Sequence, residues 1–317
     1  MLIATLPTLK SAADLKLCEE IFSQSLIGAA RYNTGGESPY KPAEIVSKLK
    51  SISDRYNKTL YIDLEGRQTR VAVWTPFSRN CVQLNRDFCI KLPGMIYFRR
   101  AGWCEIVNAD PATRCIFFAS QTRGSEYYLG SGQSVHIVAE KFEVKGYLGG
   151  LDEAFIAAAA SLGVTRFMLS FVESLEDIAE FEESYRVSVP NTPTDAILKI
   201  ESPKGLSMIK KFRTIIQGRF RLMAARDDLF LGYLGRRGEI LSALKQITSI
   251  DSEAIVASRL LAGLERGQEI TLADIEDVAL MTRFGYKHFM FADELADKIA
   301  LVSKIWQKQI LPNLESE

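Results

Sequence analysis

The sequence predicts an α/β fold: a (β/α)8 TIM barrel formed by residues 1–70 and 147–317, with a small all-β domain, residues 71–146, inserted after the third strand. Three observations predict it. Short apolar runs alternate with helical periodicity along both outer segments, and repeated strand-then-helix order demands parallel strands joined by crossover helices. Eight such units in about 240 residues match a closed barrel. Between the third and fourth units the helical pattern disappears and only short β-rich runs remain. The competing arrangement, a doubly wound open sheet, wants a glycine-rich first turn. The first strand instead runs into ATLPTLK, with no G-x-G-x-x-G.

The elements follow in order. Leu2 to Leu6 reads as a strand. Ser11 to Ser25 reads as an amphipathic helix with Ala12, Leu15, Leu17, Cys18, Ile21 and Phe22 on a broad apolar stripe. Ile27 to Asn33 is the second strand, and Pro42 to Tyr56 the second helix, its proline suited to a first helical turn. Thr59 to Leu64 is the third strand, closed by Gly66. The insert then offers the runs VAVW, FCIKL, MIYFRR, CEIV, CIFF and VHIV, separated by turn residues such as Pro93-Gly94 and Gly130-Ser131-Gly132.

Beyond Gly149-Gly150 the alternation resumes: helix Leu151–Leu162, strand Arg166–Val172, helix Leu175–Tyr185 behind a Ser174/Asp177 cap, strand Ala196–Ile200. Helix Gly205–Ile216, strand Arg221–Ala225, helix Arg237–Ile247 and strand Ala254–Ala257 come next. Helix Leu272–Phe284 capped by Thr271, strand His288–Phe291 and helix Glu294–Ile310 complete the eight units.

Composition narrows the function classes. Lys plus Arg equals Asp plus Glu, 39 each, so no bulk charge draws the chain to nucleic acid or an anionic membrane. The five cysteines form no C-x-x-C pair, which points to reduced thiols and a cytoplasmic setting. Two histidines far apart do not make a zinc site. The N-terminus lacks the pattern of a signal peptide, and the most apolar stretch, Phe155 to Val172, is broken by Gly163, Thr165 and Arg166.

In such barrels the site lies at the carboxyl ends of the strands. Those ends supply Thr5, Arg31, Asn33, Asp63 followed by Arg70, Ser170, Lys199, Glu201, Arg226, Asp227, Asp228, Ser258, Arg259, Asp293 and Glu294. Period-two alternation puts Lys199 and Glu201 together, facing the barrel interior. A buried lysine and a buried carboxylate need partners or a metal to offset desolvation. Glu201 with Asp228 suits a hard cation such as Mg2+ or Mn2+. Asp227 is the alternative ligand, and an inward Lys–Glu pair that is purely structural is the plainer reading. Arg31 and Arg70 would offer forks to a phosphate or carboxylate. His136, His288 and the aromatic runs of the insert read as structural.

Several stretches, in order, resemble the catalytic barrel of pyruvate kinase. Ala30-Arg31-Tyr32-Asn33 is similar to its A-R-x-N strand, and Asp63-Leu64-Glu65-Gly66, ending in Arg70, to its D-T-K-G-P-E-I-R stretch. Ser170-Phe171-Val172 resembles S-F-V, and Lys199-Ile200-Glu201-Ser202-Pro203-Lys204-Gly205 resembles K-I-E-N-x-x-G. Ala225-Arg226-Asp227-Asp228-Leu229 resembles A-R-G-D-L, and Ile255 to Ala262 resembles I-x-A-T-Q-M-L. The likeness covers roughly residues 1–70 and 146–310. The insert stands where that family carries a longer lid domain, and no stretch here corresponds to the family's C-terminal domain.

The resemblance implies roles. Lys199, Arg31 and Ser258 would be catalytic: Lys199 steadying phosphoryl and enolate charge, Arg31 touching the phosphoryl group, Ser258 bordering the reacting carbon. Glu201 and Asp228 would hold Mg2+ or Mn2+. Arg31, Arg70, Asp227, Asp228 and Ser258 would bind the substrate, a 2-oxo acid or phosphoenolpyruvate, and Asn33 and Asp63 would border a monovalent cation. The departures cut into this list. The family's N-F-S-H-G reads Asn33-Thr34-Gly35-Gly36-Glu37, the threonine and lysine after Asp63 are Leu64 and Glu65, and T-L-G-P is Thr5-Leu6-Pro7-Thr8. These losses argue against K+ and against nucleotide binding.

Three readings follow: phosphoryl transfer between phosphoenolpyruvate and a nucleoside diphosphate; a metal-dependent lyase or aldolase that forms a pyruvate-type enolate without nucleotide; and a catalytically silent relative that binds a metabolite or protein. Oligomeric state stays open, a homo-oligomer among the outcomes.

Overall fold

The computed structural model describes residues 1–74, 80–99, 102–119, 130–189 and 194–314. Arg100, which ends the MIYFRR run, lies outside them. The chain divides into two compact units: Met1–Glu65 with Gly150–Glu317, and Gly66–Gly149. The second unit therefore begins at Gly66, ahead of Arg70, and ends at Gly149.

The first unit opens with β1 (Leu2–Thr5), α1 (Ala12–Ser23), β2 (Ile27–Asn33), α2 (Pro42–Arg55) and β3 (Thr59–Leu64). The chain next builds β4 (Thr69–Trp74), β5 (Cys81–Leu84), β6 (Phe88–Phe98), β7 (Gly102–Asp110), β8 (Cys115–Phe118) and β9 (Ser134–Val144), all in the second unit. It returns to the first unit with α3 (Gly150–Ser161), β10 (Arg166–Leu169), α4 (Leu175–Ser188), β11 (Asp195–Ile200), α5 (Pro203–Lys211) and α6 (Arg213–Ile216). Then come β12 (Arg221–Ala225), α7 (Arg226–Gly232), α8 (Ile240–Ile250), β13 (Ile255–Ala257), α9 (Ala262–Arg266), α10 (Leu272–Arg283), β14 (His288–Met290), α11 (Ile299–Ile305) and α12 (Leu311–Leu314).

The strands of the first unit close as β1-β14-β13-β12-β11-β10-β3-β2, every pair parallel. Their inward residues, among them Ile3, Ala29, Tyr61, Met168, Ile197, Met223, Ile255 and Met290, form a buried layer inside the barrel. Helices cover the outside, and their starts are chemically marked. Ser11, Ser174 and Thr271 precede α1, α4 and α10, each with an aspartate at the third helical position that folds back on the cap. The strands of the second unit close as β4-β5-β8-β7-β6-β9, an antiparallel barrel around Val82, Leu84, Phe88, Ile96, Phe98 and Ile116.

Some elements depart from the sequence expectation. The helix expected over Gly205–Ile216 breaks into α5 and α6 at Phe212. Two short helices, α7 and α9, occupy stretches that show no sustained periodicity. The last helix changes pitch: a 3-10 stretch Asp293–Lys298 precedes α11, and a π turn over Trp306–Ile310 follows it. In that wider turn Trp306 packs on Phe289 and Phe291, with ring centroids 5.1 and 5.5 Å away.

Candidate functional site at the carboxyl ends of the barrel strands

Five interior-layer residues are followed, two positions on, by a polar side chain at the barrel mouth. Ile3 leads to Thr5, Ala29 to Arg31, Tyr61 to Asp63, Met168 to Ser170, and Ile197 to Lys199 and then Glu201. The alternation of a strand therefore converts an apolar plug into a ring of polar groups without a change of direction. Five of these, Thr5, Asp63, Ser170, Lys199 and Glu201, are buried.

Asp63 is the hub of this ring. Its carboxylate accepts from Lys199 Nζ at 3.1 and 3.2 Å, pairs with Arg31 Nη1, and accepts from Ser170 Oγ at 3.3 Å. Lys199 also donates to Ser170 Oγ at 2.8 Å. Arg31 Nε donates to Thr5 Oγ1 at 3.0 Å, and that hydroxyl donates in turn to the Phe291 carbonyl at 2.6 Å. Two cations and one carboxylate thus share a site from which water is largely excluded, each held by several hydrogen bonds. Such an arrangement tolerates burial only while all members are present.

Glu201 stands on the other side of Lys199. Its Oε1 is 3.4 Å from Lys199 Nζ, and its Oε2 accepts from the Phe171 backbone N–H at 2.7 Å. Phe171 reaches that position with a left-handed backbone, φ +50°, just after β10 ends. Burial, with the negative charges of Asp228 and Asp63, outweighs Lys199 and the Phe171 N–H and pushes the Glu201 carboxyl up to about 7. The charge of Asp228 is among those that bear on Glu201. Asp227 is paired with Arg259 across the next strand end.

Added positive charge beside Glu201 would offset its burial and the charge of Asp228, both of which disfavour the carboxylate. Among the described residues no group of three or more His, Cys, Asp or Glu side chains is arranged to hold a metal. A cation beside Glu201 would complete its shell with water and substrate oxygens, as magnesium does.

The remaining sequence-derived candidates fall in different places. Ser258 follows β13, half-buried, with φ +71°. Asn33 ends β2, and its Oδ1 accepts from the Gly35 N–H at 3.1 Å. Arg70 belongs to β4 of the second unit, a correction to its place in the ring of barrel strand ends. The chain has left the first unit at Gly66, and the Arg70 guanidinium donates to the Gly132 carbonyl and the Gln68 side chain at 2.9 and 2.6 Å. His288 opens β14 at the amino-terminal rim, bound to Glu253 at 2.9 Å, and His136 in β9 meets the Trp103 ring edge-on.

Ser170 and Thr5 emerge as direct partners of Lys199 and Arg31. Their signal was available in the period-two step from the apolar layer. The Phe171 amide had none, because a left-handed phenylalanine is not written in residue type.

No protein-family model matches the chain, and no curated protein matches it in sequence. Among solved structures it is similar to the pyruvate kinase from Pyrobaculum aerophilum, with a TM-score of 0.69, 16% identity, and coverage of 97% of this chain and 72% of that one. At that identity the likeness shows the fold alone: the chain has a pyruvate kinase-like fold. Among the described residues no helix is long and apolar enough to cross a membrane.

Proposed function

We propose that the chain is a divalent-metal-dependent enzyme that forms or consumes the enolate of a small 2-oxo acid of the pyruvate type at the carboxyl end of its parallel barrel. The observation that carries this reading is the buried ammonium of Lys199, fixed by Asp63 and Ser170, beside the buried carboxyl of Glu201, which the charge of Asp228 makes still more receptive to a cation. Mg2+ or Mn2+ held there would polarise a carbonyl and stabilise the charge of an enolate. Lys199 supplies a fixed positive charge toward the same interior, and needs no reorganisation because three groups already hold it. Arg31 has its Nε and Nη1 engaged by Thr5 and Asp63, which leaves the Nη2 edge to orient an anionic group. Ser258 would border the reacting carbon, as the resemblance implies.

A specific observation favours chemistry without nucleotide over phosphoryl transfer to ADP. The segments after β1 and β2 are packed on one another: a Cβ on Gly36 would run into the Thr8 side chain, Ser38 Oγ donates to the Leu9 carbonyl, and Leu6 and Leu9 are buried. These are the segments that depart from the pyruvate kinase pattern for holding nucleotide.

The test is exchange of pyruvate methyl protons with deuterium, followed by NMR in the presence of Mg2+ or Mn2+. Exchange is expected in the unchanged protein and should fall at least about a hundredfold in Lys199→Met and Glu201→Gln. No exchange with either metal sinks the reading. A coupled assay with phosphoenolpyruvate, ADP and magnesium runs beside it, and turnover there would restore phosphoryl transfer.

A further inference from the structure

The turn after β13 carries Ser258 at φ +71°, Arg259 at φ +58° and Leu261 at φ +55°, three non-glycine residues in the left-handed region within four positions. Backbone of that kind persists only where the surroundings dictate it. Here the surroundings are identifiable. Arg226, the first residue of α7, sends Nε to the carbonyls of Ala257 and Ser258 at 3.3 and 3.2 Å, and Nη2 to the Ser258 carbonyl at 2.6 Å. The same guanidinium is gripped in bidentate fashion by Asp277 of α10, at 2.5 and 2.8 Å. One turn earlier on α10, Asp274 accepts from the Gly263 N–H at 3.2 Å and caps the helix through Thr271. Asp274 and Asp277 are three residues apart and so share a helix face. The Arg226 side chain is only 11% exposed, so little water competes for its donors.

We infer that Arg226 and Asp277 are positioning residues: a clamp that sets the backbone of Ser258 and its neighbours in the conformation the barrel site uses. The register supports the connection. Ala225 pairs with Ala257, so the residues that follow them, Arg226 with Asp227 and Asp228, and Ser258 with Arg259, leave adjacent strand ends side by side. The Asp227–Arg259 ion pair bridges the same two ends. An arginine is required rather than a lysine, because one planar fork must meet a carboxylate on one side and two carbonyls on the other. The functional weight of the clamp rests on the enolate reading above. Its structural content does not.

The experiment compares the full chain with Asp277→Asn, Arg226→Lys and the conservative Asp277→Glu, each checked by circular dichroism for an intact fold. Two readouts are taken: amide hydrogen exchange of residues 258–263, and oxalate binding to the Mn2+-loaded protein by calorimetry, with Mn2+ alone titrated first. In Asp277→Asn and Arg226→Lys, exchange across 258–263 should rise at least about tenfold while β11 is unchanged. Mn2+ affinity should stay within about twofold, because Glu201 and Asp228 are untouched, and oxalate affinity should fall at least about tenfold. Asp277→Glu should recover part of both effects. Unchanged exchange in 258–263 overturns the clamp, and so does unchanged oxalate affinity in a protein that binds oxalate. If the unchanged protein takes up no oxalate, the enolate reading has failed, and the exchange comparison decides the clamp by itself. Should Asp277→Asn not fold, Arg226→Lys, which keeps the charge, carries the same comparison.

Discussion

Glu201→Gln separates the electrostatics of the site from its chemistry. Burial, with Asp228 and Asp63 nearby, holds the Glu201 carboxyl at about 7 in the folded chain against an ordinary 4.5. A carboxyl raised in this way binds its proton more tightly folded than unfolded. The stability it contributes is complete below about pH 4.5 and is lost as pH rises through about 7. At about 1.4 kcal/mol per pH decade that interval is worth about 3 kcal/mol. In chelator-treated protein, urea denaturation should therefore show the unchanged chain losing about 3 kcal/mol through this group between about pH 5 and pH 8.

Glutamine cannot ionise, so the variant should lack that slope. Its amide oxygen can still accept the Phe171 N–H, but its NH2 would then face the Lys199 ammonium, 3.4 Å from the present Oε1. The net gain over the unchanged protein at about pH 8 should accordingly be smaller, about 1–3 kcal/mol. Saturating Mn2+ should raise the stability of the unchanged protein at that pH, by about 2.7 kcal/mol at a hundredfold excess over Kd, and leave the variant nearly unmoved. A Glu201→Gln chain that is less stable than its parent at about pH 8, or one that keeps the parent's pH slope, would refute the reasoning.

Two further outcomes follow from the same contacts. Asp63→Asn leaves Lys199 and Arg31 without their shared carboxylate and should cost about 3–5 kcal/mol, read from urea denaturation at neutral pH. A loss below about 1 kcal/mol would mean that Asp63 does not balance the buried charge. Gly205→Ala should cost about 1–3 kcal/mol by the same measurement, because the new Cβ would sit 2.7 Å from the Val172 carbonyl oxygen, a backbone atom that cannot step aside. A neutral result would show that the α5 start has more room than its contact with the segment after β10 allows.

Much of the barrel was legible in sequence because its signals are local. Ile27–Asn33, Thr59–Leu64 and Arg221–Ala225 match their strands end to end, and Ser174 and Thr271 cap the helices they announce. The inward direction of Lys199 and Glu201 also followed from period two alone. Arg70 shows where this logic stops. Counting along the chain kept it with the third strand, whereas it is the Thr69–Val135 and Arg70–Ser134 pairing, between residues distant in sequence, that assigns it to the second barrel. Likewise α7, α9 and the π turn at Trp306 are too short or too irregular to leave a periodic trace.

By itself, then, the sequence determined the order of the eight barrel strands, their parallel sense and most of the polar residues that follow them, because helix and strand periods act within a few residues. Only the tertiary structure decided how those residues are paired. Asp63 became the hub because closure of the barrel sets β3 between β2 and β10 and brings Lys199 of β11 to the same carboxylate. Asp227 is met by Arg259 from the next strand end, while the charge of Asp228 bears on Glu201. The left-handed Ser258 exists because Asp277, from the helix beyond, aims Arg226 at its carbonyl. Such pairings depend on distances across the barrel, set by its closure and packing, and no local pattern encodes them.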